Sequence, residues 1–162
     1  MRAILILLGL LGLMAAGMTA AQPMPNFSGA TLDGRPYELA LRNGRVVMVV
    51  LWRTDCAVCL SKMPELRANA QGWKSAPFDL LLINLDPSPA DAEAYDRTRR
   101  QVAGQDGPVW SFWHGHVQMP PDWRLGGRLP RTLVFDRAGR LAARHDGRHA
   151  DEVWDQVADL LP

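Results

Sequence analysis

"VVMVVLWRTDCAVCLSKMPEL", residues 46–66, contains both cysteines of the chain, Cys56 and Cys59. Arg45 to Trp52 is a run of apolar, largely β-branched residues without alternation. Such a run predicts a strand buried on both faces, as in a sheet covered by helices. From Cys56 to about Gly72 the period changes. Leu60, Met63, Leu66 and Ala70 recur at helical spacing and predict an amphipathic helix. Pro64 falls inside that helix, where it should kink it. The cysteines thus lie where a strand hands over to a helix. An acid, Asp55, precedes the first, and a base, Lys62, follows the second.

Three chemistries compete for a C-x-x-C pair. A structural zinc site takes four ligands, and this chain has one pair of cysteines, with His114 and His116 as the available completions. A purely structural disulfide over so short a loop stabilises little, because the benefit grows with loop length. A redox dithiol fits the context best. A helix N-terminus offers free N–H groups and the positive end of the dipole, and both favour a thiolate at Cys56. Cys59, one turn later, is placed to attack a mixed disulfide formed at Cys56.

Working outward, the rest of the chain alternates strands and helices. Asp33-Gly34 before Arg35-Pro36-Tyr37-Glu38-Leu39 reads as a hairpin turn into a short edge strand. Phe78 to Leu85 is a second buried strand, ended by Asp86-Pro87. Ser88 caps a polar helix over 90–103, with Ala92, Tyr95, Thr98 and Val102 inward and Arg97, Arg99 and Arg100 on a solvated face. Val109 to Trp113 is a short strand, and residues 114–128 are irregular. Arg131 to Asp136 and Leu141 to Asp146 form a hairpin, and Ala150 to Leu161 a closing helix. This order predicts an α/β fold: a mixed central sheet with helices on both faces.

The 162 residues carry a formal net charge of +1, with 48% hydrophobic and 22% charged residues, which is ordinary globular composition. That balance lacks the basic excess of a nucleic-acid binder. The first residues differ from the rest. Met1-Arg2, the uncharged apolar run Ala3 to Met18, and the small residues Thr19-Ala20-Ala21 match an export signal over residues 1–21. An uncleaved membrane anchor is the alternative, although the run is shorter than the roughly 20 apolar residues of a spanning helix. Residues 22–162 then form one domain.

Residues 46–66 resemble the active-site segment of the thioredoxin superfamily, above all its exported TlpA, ResA and CcmG branch. That branch commonly reads F-W-A-T-W-C-x-P-C-R-x-E-M-P-E-L. Trp52, Thr54, Cys56, Cys59 and Met63-Pro64-Glu65-Leu66 are shared. A second block, "GRLPRTLVFDRAGRLAARHDG" (residues 127–147), resembles the G-x-P-T-T-F-L-I-D-x-x-G-x-I segment. The resemblance implies a thioredoxin-like fold with an N-terminal β-hairpin extension. It implies a cis peptide before Pro130, and a substrate groove shaped by Leu129 and Pro130. Trp52 and Thr54 would support the active-site loop. It implies an exported, periplasmic thiol–disulfide oxidoreductase without a cofactor, acting as a reductant, for example in cytochrome c maturation. Its partners would be cysteine-containing exported proteins and a membrane electron donor of the DsbD or CcdA type.

The chain departs from that pattern at informative places. Asp55 replaces the usual tryptophan, Ala57-Val58 lacks the frequent proline, and Lys62 stands where an acid is common. Val50 occupies the position of the buried acid of thioredoxins. Asp55 should raise the Cys56 pKa and Lys62 should favour a thiolate. The two are expected to flank Cys59 and partly cancel. Asp55 as a helix cap, and Lys62 as a solvated helix residue, are the plainer readings. Two other functions fit the same residues. Trp113-His114-Gly115-His116 with Met119 suits a copper-handling module that uses the dithiol and a loop histidine. A binding protein that kept the fold but lost efficient exchange is the other. Trp110, Trp113 and Trp123 are divided between an apolar rim and core packing.

Overall fold

The computed structural model describes residues 25–104, 107–148 and 150–162. The export signal expected over residues 1–21, and His149, lie outside the described residues. The elements run β1 (Ser28–Ala30), β2 (Pro36–Glu38), β3 (Val46–Trp52), α1 (Ala57–Gly72), β4 (Phe78–Asn84), α2 (Pro89–Ala103), β5 (Val109–Trp113), β6 (Val117–Gln118), β7 (Arg131–Phe135), β8 (Leu141–Asp146) and α3 (Glu152–Leu160). Five strands form the central sheet in the order β5-β4-β3-β7-β8. β3, β4 and β5 are parallel, and β7 and β8 run antiparallel. This is the thioredoxin-like mixed sheet that the sequence predicts.

Every residue of β3 and β4 is buried, which explains their unbroken apolar runs. Alternate side chains feed two cores. On one face Val46, Met48, Val50 and Trp52 meet Cys59, Met63, Leu66 and Ala70 of α1 and Val157 of α3. Tyr95 of α2 packs against this same cluster. On the other face Val47, Val49 and Leu51 meet Phe27, Tyr37, Leu39, Phe112 and Trp123. The expectation of helices on both faces is therefore corrected. The crossovers β3-α1-β4 and β4-α2-β5 step the same way across the sheet, and right-handed crossovers then leave both helices on one face. The opposite face is roofed by the N-terminal hairpin and the 119–123 segment.

The hairpin extension is present and goes further than predicted. β1 and β2 pair antiparallel, and β6 adds to β1, giving a second sheet in the order β2-β1-β6. The segment after Trp113, expected to be irregular, thus contributes a strand. Asp79 ties this layer to the main sheet. It is buried on β4 and accepts hydrogen bonds from Arg45 Nε (3.0 Å), Tyr37 Oη (3.3 Å) and Trp110 Nε1 (3.1 Å). Burial, and next the Asp79 charge, push the Tyr37 phenol far above its ordinary pKa.

Two helix faces differ from the periodicity. Leu60 is exposed, and the buried face of α1 consists of Cys59, Lys62, Met63, Leu66 and Ala70. α1 continues through Pro64 without interruption. In α2 the inward side is Ala92, Tyr95 and Asp96, whereas Thr98 is exposed and Val102 is 85% exposed. Packing against Trp52 through Tyr95, at a ring separation of 4.9 Å, sets this rotation of the helix.

Candidate active site

Cys56 and Cys59 form a disulfide with a Cα–Cα distance of 5.2 Å. Cys56 is half-buried and Cys59 is completely buried. β3 ends at Trp52, and α1 starts directly after Cys56, which is itself the helix N-cap. Its Sγ accepts the Cys59 N–H at 3.1 Å. The sulfur thus sits at the positive end of the helix, already facing an N–H donor that stabilises a thiolate. Asp55 is not the cap. Its carboxylate is 68% exposed and pairs with Arg53 Nη2 at 2.8 Å.

Trp52 is buried beneath this turn against Tyr95. Thr54 is fixed by Asp86, a residue whose role only the structure reveals. The Asp86 carboxylate is buried and accepts from Thr54 N (3.1 Å), Thr54 Oγ1 (2.8 Å) and Asn84 Nδ2 (2.9 Å). Arg53 Nε lies 3.7 Å from it. Its backbone oxygen accepts Trp113 Nε1 at 2.8 Å. Asp86 therefore joins the loop before the dithiol to the end of β5. The available signal was its place at the C-terminal end of a parallel strand, where sites of open α/β sheets gather.

Asp86→Ala leaves the Thr54 donors without their acceptor. The expected result is a stability loss of about 2–4 kcal/mol, with slower thiol–disulfide exchange. Urea unfolding of the oxidised chain and an exchange assay would check it. An unchanged midpoint and rate would remove Asp86 from this positioning role.

Lys62 is not a solvated residue, since it is only 6% exposed. Its Nζ lies 2.7 Å from Glu65 Oε2 and 3.6 Å from Asp151 Oδ1. Trp154 Nε1 donates to Glu65 Oε1 at 2.6 Å, which locks that carboxylate against α3. The two charged neighbours of the dithiol thus each carry a counter-charge of their own: Arg53 for Asp55, Glu65 for Lys62.

Downstream, the Leu129–Pro130 peptide is cis. Pro130 is buried, and Leu129 packs against both cores. Gly147 N donates to Pro130 O at 2.9 Å. Arg131, also buried, pairs with Asp146 at 2.6 Å and donates to the carbonyls of Trp123 and Leu125. The hydrogen bond from Arg131 holds the Asp146 carboxyl below the ordinary carboxylate value. Gly127 adopts φ +76°, a backbone conformation that favours glycine, and a Cβ there would press on the paired ends of Arg131 and Asp146.

His114 and His116 both pack against Trp113, each with its ring centroid 5.0 Å away. Gly115 between them leaves the indole room, since a Cβ there would run into the Trp113 ring. Burial, and then the Arg124 charge, lower the His114 pKa. Among the described residues no three of His, Cys, Asp and Glu gather as a metal-holding group. Of the three indoles, Trp123 is buried in the core, and Trp110 and Trp113 are half-buried.

Residues 19–160 match the Redoxin family model. The chain belongs to the Redoxin family. Within it, the chain is similar to the thiol:disulfide interchange protein HelX of Rhodobacter capsulatus, at 27% identity over 75% of this chain. That match spans 63% of HelX. The thiol:disulfide interchange protein DsbE of Yersinia pestis is 25% identical over 87% of this chain and 70% of its own length. The crystal structure of a thioredoxin-family thiol:disulfide interchange protein from Chlorobium tepidum superposes with a TM-score of 0.67. It covers 85% of this chain and 94% of its own at 22% identity, which speaks to the fold. This Redoxin-family chain is thus a thioredoxin-superfamily protein of the TlpA/CcmG-like kind, as the two sequence blocks imply.

Proposed function

We propose that the chain is an exported thiol–disulfide oxidoreductase that reduces disulfides of partner proteins through Cys56 and Cys59. The observation that carries this reading is the pair itself: a half-exposed sulfur capping a helix, bonded to a fully buried one. In the reduced form the Cys56 thiolate attacks one sulfur of a partner disulfide and displaces the other as a thiolate. The Cys59 thiolate then attacks Cys56 Sγ and releases the second partner sulfur. Two electrons pass to the partner, and the Cys56–Cys59 disulfide remains.

Leu129 and Pro130 would border the groove that receives the partner backbone, with Trp52 and Thr54 holding the loop. The exported compartment rests on the signal-like residues 1–21, and the natural one is the periplasm. Partners are cysteine-containing exported proteins, cytochrome c maturation being one setting. A DsbD- or CcdA-type membrane donor would return the electrons. Asp55 and Lys62 tune the dithiol only by what their own counter-charges leave over.

The test is the reduction potential of the dithiol together with its rate of insulin disulfide reduction. Robust reduction with a potential near thioredoxin's, about −270 mV, is expected. A potential near about −120 mV would reverse the direction, and no exchange at all would leave a binding protein. The same potential in Asp55→Ala and Lys62→Glu would remove their tuning roles.

A further inference from the structure

Thr132 on β7 is completely buried, and its Oγ1 has no hydrogen-bond partner among the described residues. Its place is set by register. Thr132 lies directly across from Val50 in the antiparallel β3–β7 pair, and opposed residues share a face. Val50 and Val134 belong to the core that holds Cys59 and Met63, whereas Leu133 belongs to the opposite core. Alternation along β7 therefore puts the Thr132 side chain on the Cys59 side of the sheet.

Two other buried polar side chains on this side have partners. Asn84 exchanges two hydrogen bonds with Asp86, and Lys62 meets Glu65 at 2.7 Å. Trp52 Nε1, by contrast, is a second buried donor without an acceptor among the described residues. Trp52 and Val50 lie in the cluster that contains Cys59 and is bordered by Cys56. Leaving a buried donor unpaired costs stability, so each case calls for a reason. The dithiol supplies one. In the disulfide each sulfur is neutral and a weak acceptor. Reduction turns Cys59 into a buried thiol or thiolate, and a thiolate in apolar surroundings is unfavourable without a donor.

We propose that Thr132 donates a hydrogen bond from its hydroxyl to Cys59 Sγ in the reduced dithiol. It thereby steadies the sulfur that resolves the mixed disulfide on Cys56. No proton or electron passes to Thr132. The Cys59 thiolate bonds to Cys56 Sγ, the bond from Cys56 to the partner breaks, and the partner sulfur leaves with the electron pair. The disulfide state lacks this contact, so the hydroxyl favours the reduced form. The inference deepens the oxidoreductase reading and rests on it for the resolving role of Cys59.

Thr132→Val keeps the shape and removes the hydroxyl, and Thr132→Ser restores a hydroxyl. The reduction potential of each is read by equilibration with dithiothreitol, and urea unfolding is run separately on the oxidised and reduced chains. In the valine variant the reduced form should lose stability and the oxidised form should not. Its equilibrium constant for reduction should fall about five- to tenfold, tenfold being about 30 mV in the negative direction. The serine variant should keep the potential of the unaltered chain. A valine variant with an unchanged potential would overturn the proposal. So would equal stability changes in both redox states, which mark a merely structural role, or a serine variant that behaves like valine. If the valine variant does not fold, the unaltered chain decides: solvent exchange of the Thr132 hydroxyl proton, followed by NMR, should slow on reduction, and equal exchange in both states would overturn the contact. A chain that equilibrates with dithiothreitol but does not reduce insulin would defeat the proposed function and not this hydrogen bond.

Discussion

Cys56→Ser is expected to cut disulfide reduction by on the order of a thousandfold or more, because a hydroxyl at this position is not an exchange nucleophile. The reasoning starts from position. Cys56 is the partly exposed member of the pair, and its sulfur already accepts the Cys59 N–H at the start of a 16-residue helix. Cys59 is 0% exposed, so a partner disulfide meets Cys56 first. Cys59→Ser should differ in kind: Cys56 still attacks, but nothing resolves the product. A covalent mixed disulfide on Cys56, visible by intact-mass measurement after incubation with oxidised insulin, is the expected result. Equal activity in both serine variants and the unaltered chain would sink the exchange mechanism. An adduct on Cys59 instead would invert the two roles.

Asp79→Ala should be the most damaging single change to stability away from the dithiol, at about 3–5 kcal/mol. Asp79 is 2% exposed and is the shared acceptor of Arg45, Tyr37 and Trp110, with Arg42 Nε 3.8 Å away. Its removal leaves the partly buried Arg45 guanidinium without this counter-charge, and the Tyr37 and Trp110 donors without this acceptor. Such a loss is a large part of the roughly 5–15 kcal/mol that holds a domain folded. Asp79→Asn keeps one acceptor oxygen and should cost less. Urea unfolding gives both values, and an alanine variant within about 1 kcal/mol of the parent would show that the network contributes little. The N-terminal hairpin should loosen first, since Tyr37 belongs to β2. Hydrogen exchange at residues 28–38 would report it.

The sequence blocks made the site's centre legible for a physical reason. A strand buried on both faces must be apolar throughout, and a helix packed on one side must repeat its apolar residues every three to four positions. The switch between these periods falls at the cysteines, so residues 46–66 alone predict a dithiol at a helix N-terminus. Arg131 to Asp146 likewise carries its hairpin in its own turn residues. Local pattern misjudged the places where a tertiary neighbour decides. Leu60 has the right spacing for the α1 stripe but points outward, while Lys62 is buried because Glu65 receives its charge. The α2 helix, turned by Tyr95 against Trp52, brings Asp96 and Arg100 inward, where Arg100 meets Asp33 from far away in the chain.

What the sequence by itself determined is the strand–Cys-x-x-Cys–helix unit and the order of the elements. These rest on interactions between near neighbours, whose spacing is written in the chain. What only the tertiary structure decided is how charges are settled around that unit. Asp86 meets Thr54, Asp79 meets Arg45 and Tyr37, and Asp33 meets Arg100 across separations that no periodicity encodes. A buried charge is tolerated only where folding brings it a partner. Its role is therefore a property of the assembled fold rather than of the segment that carries it.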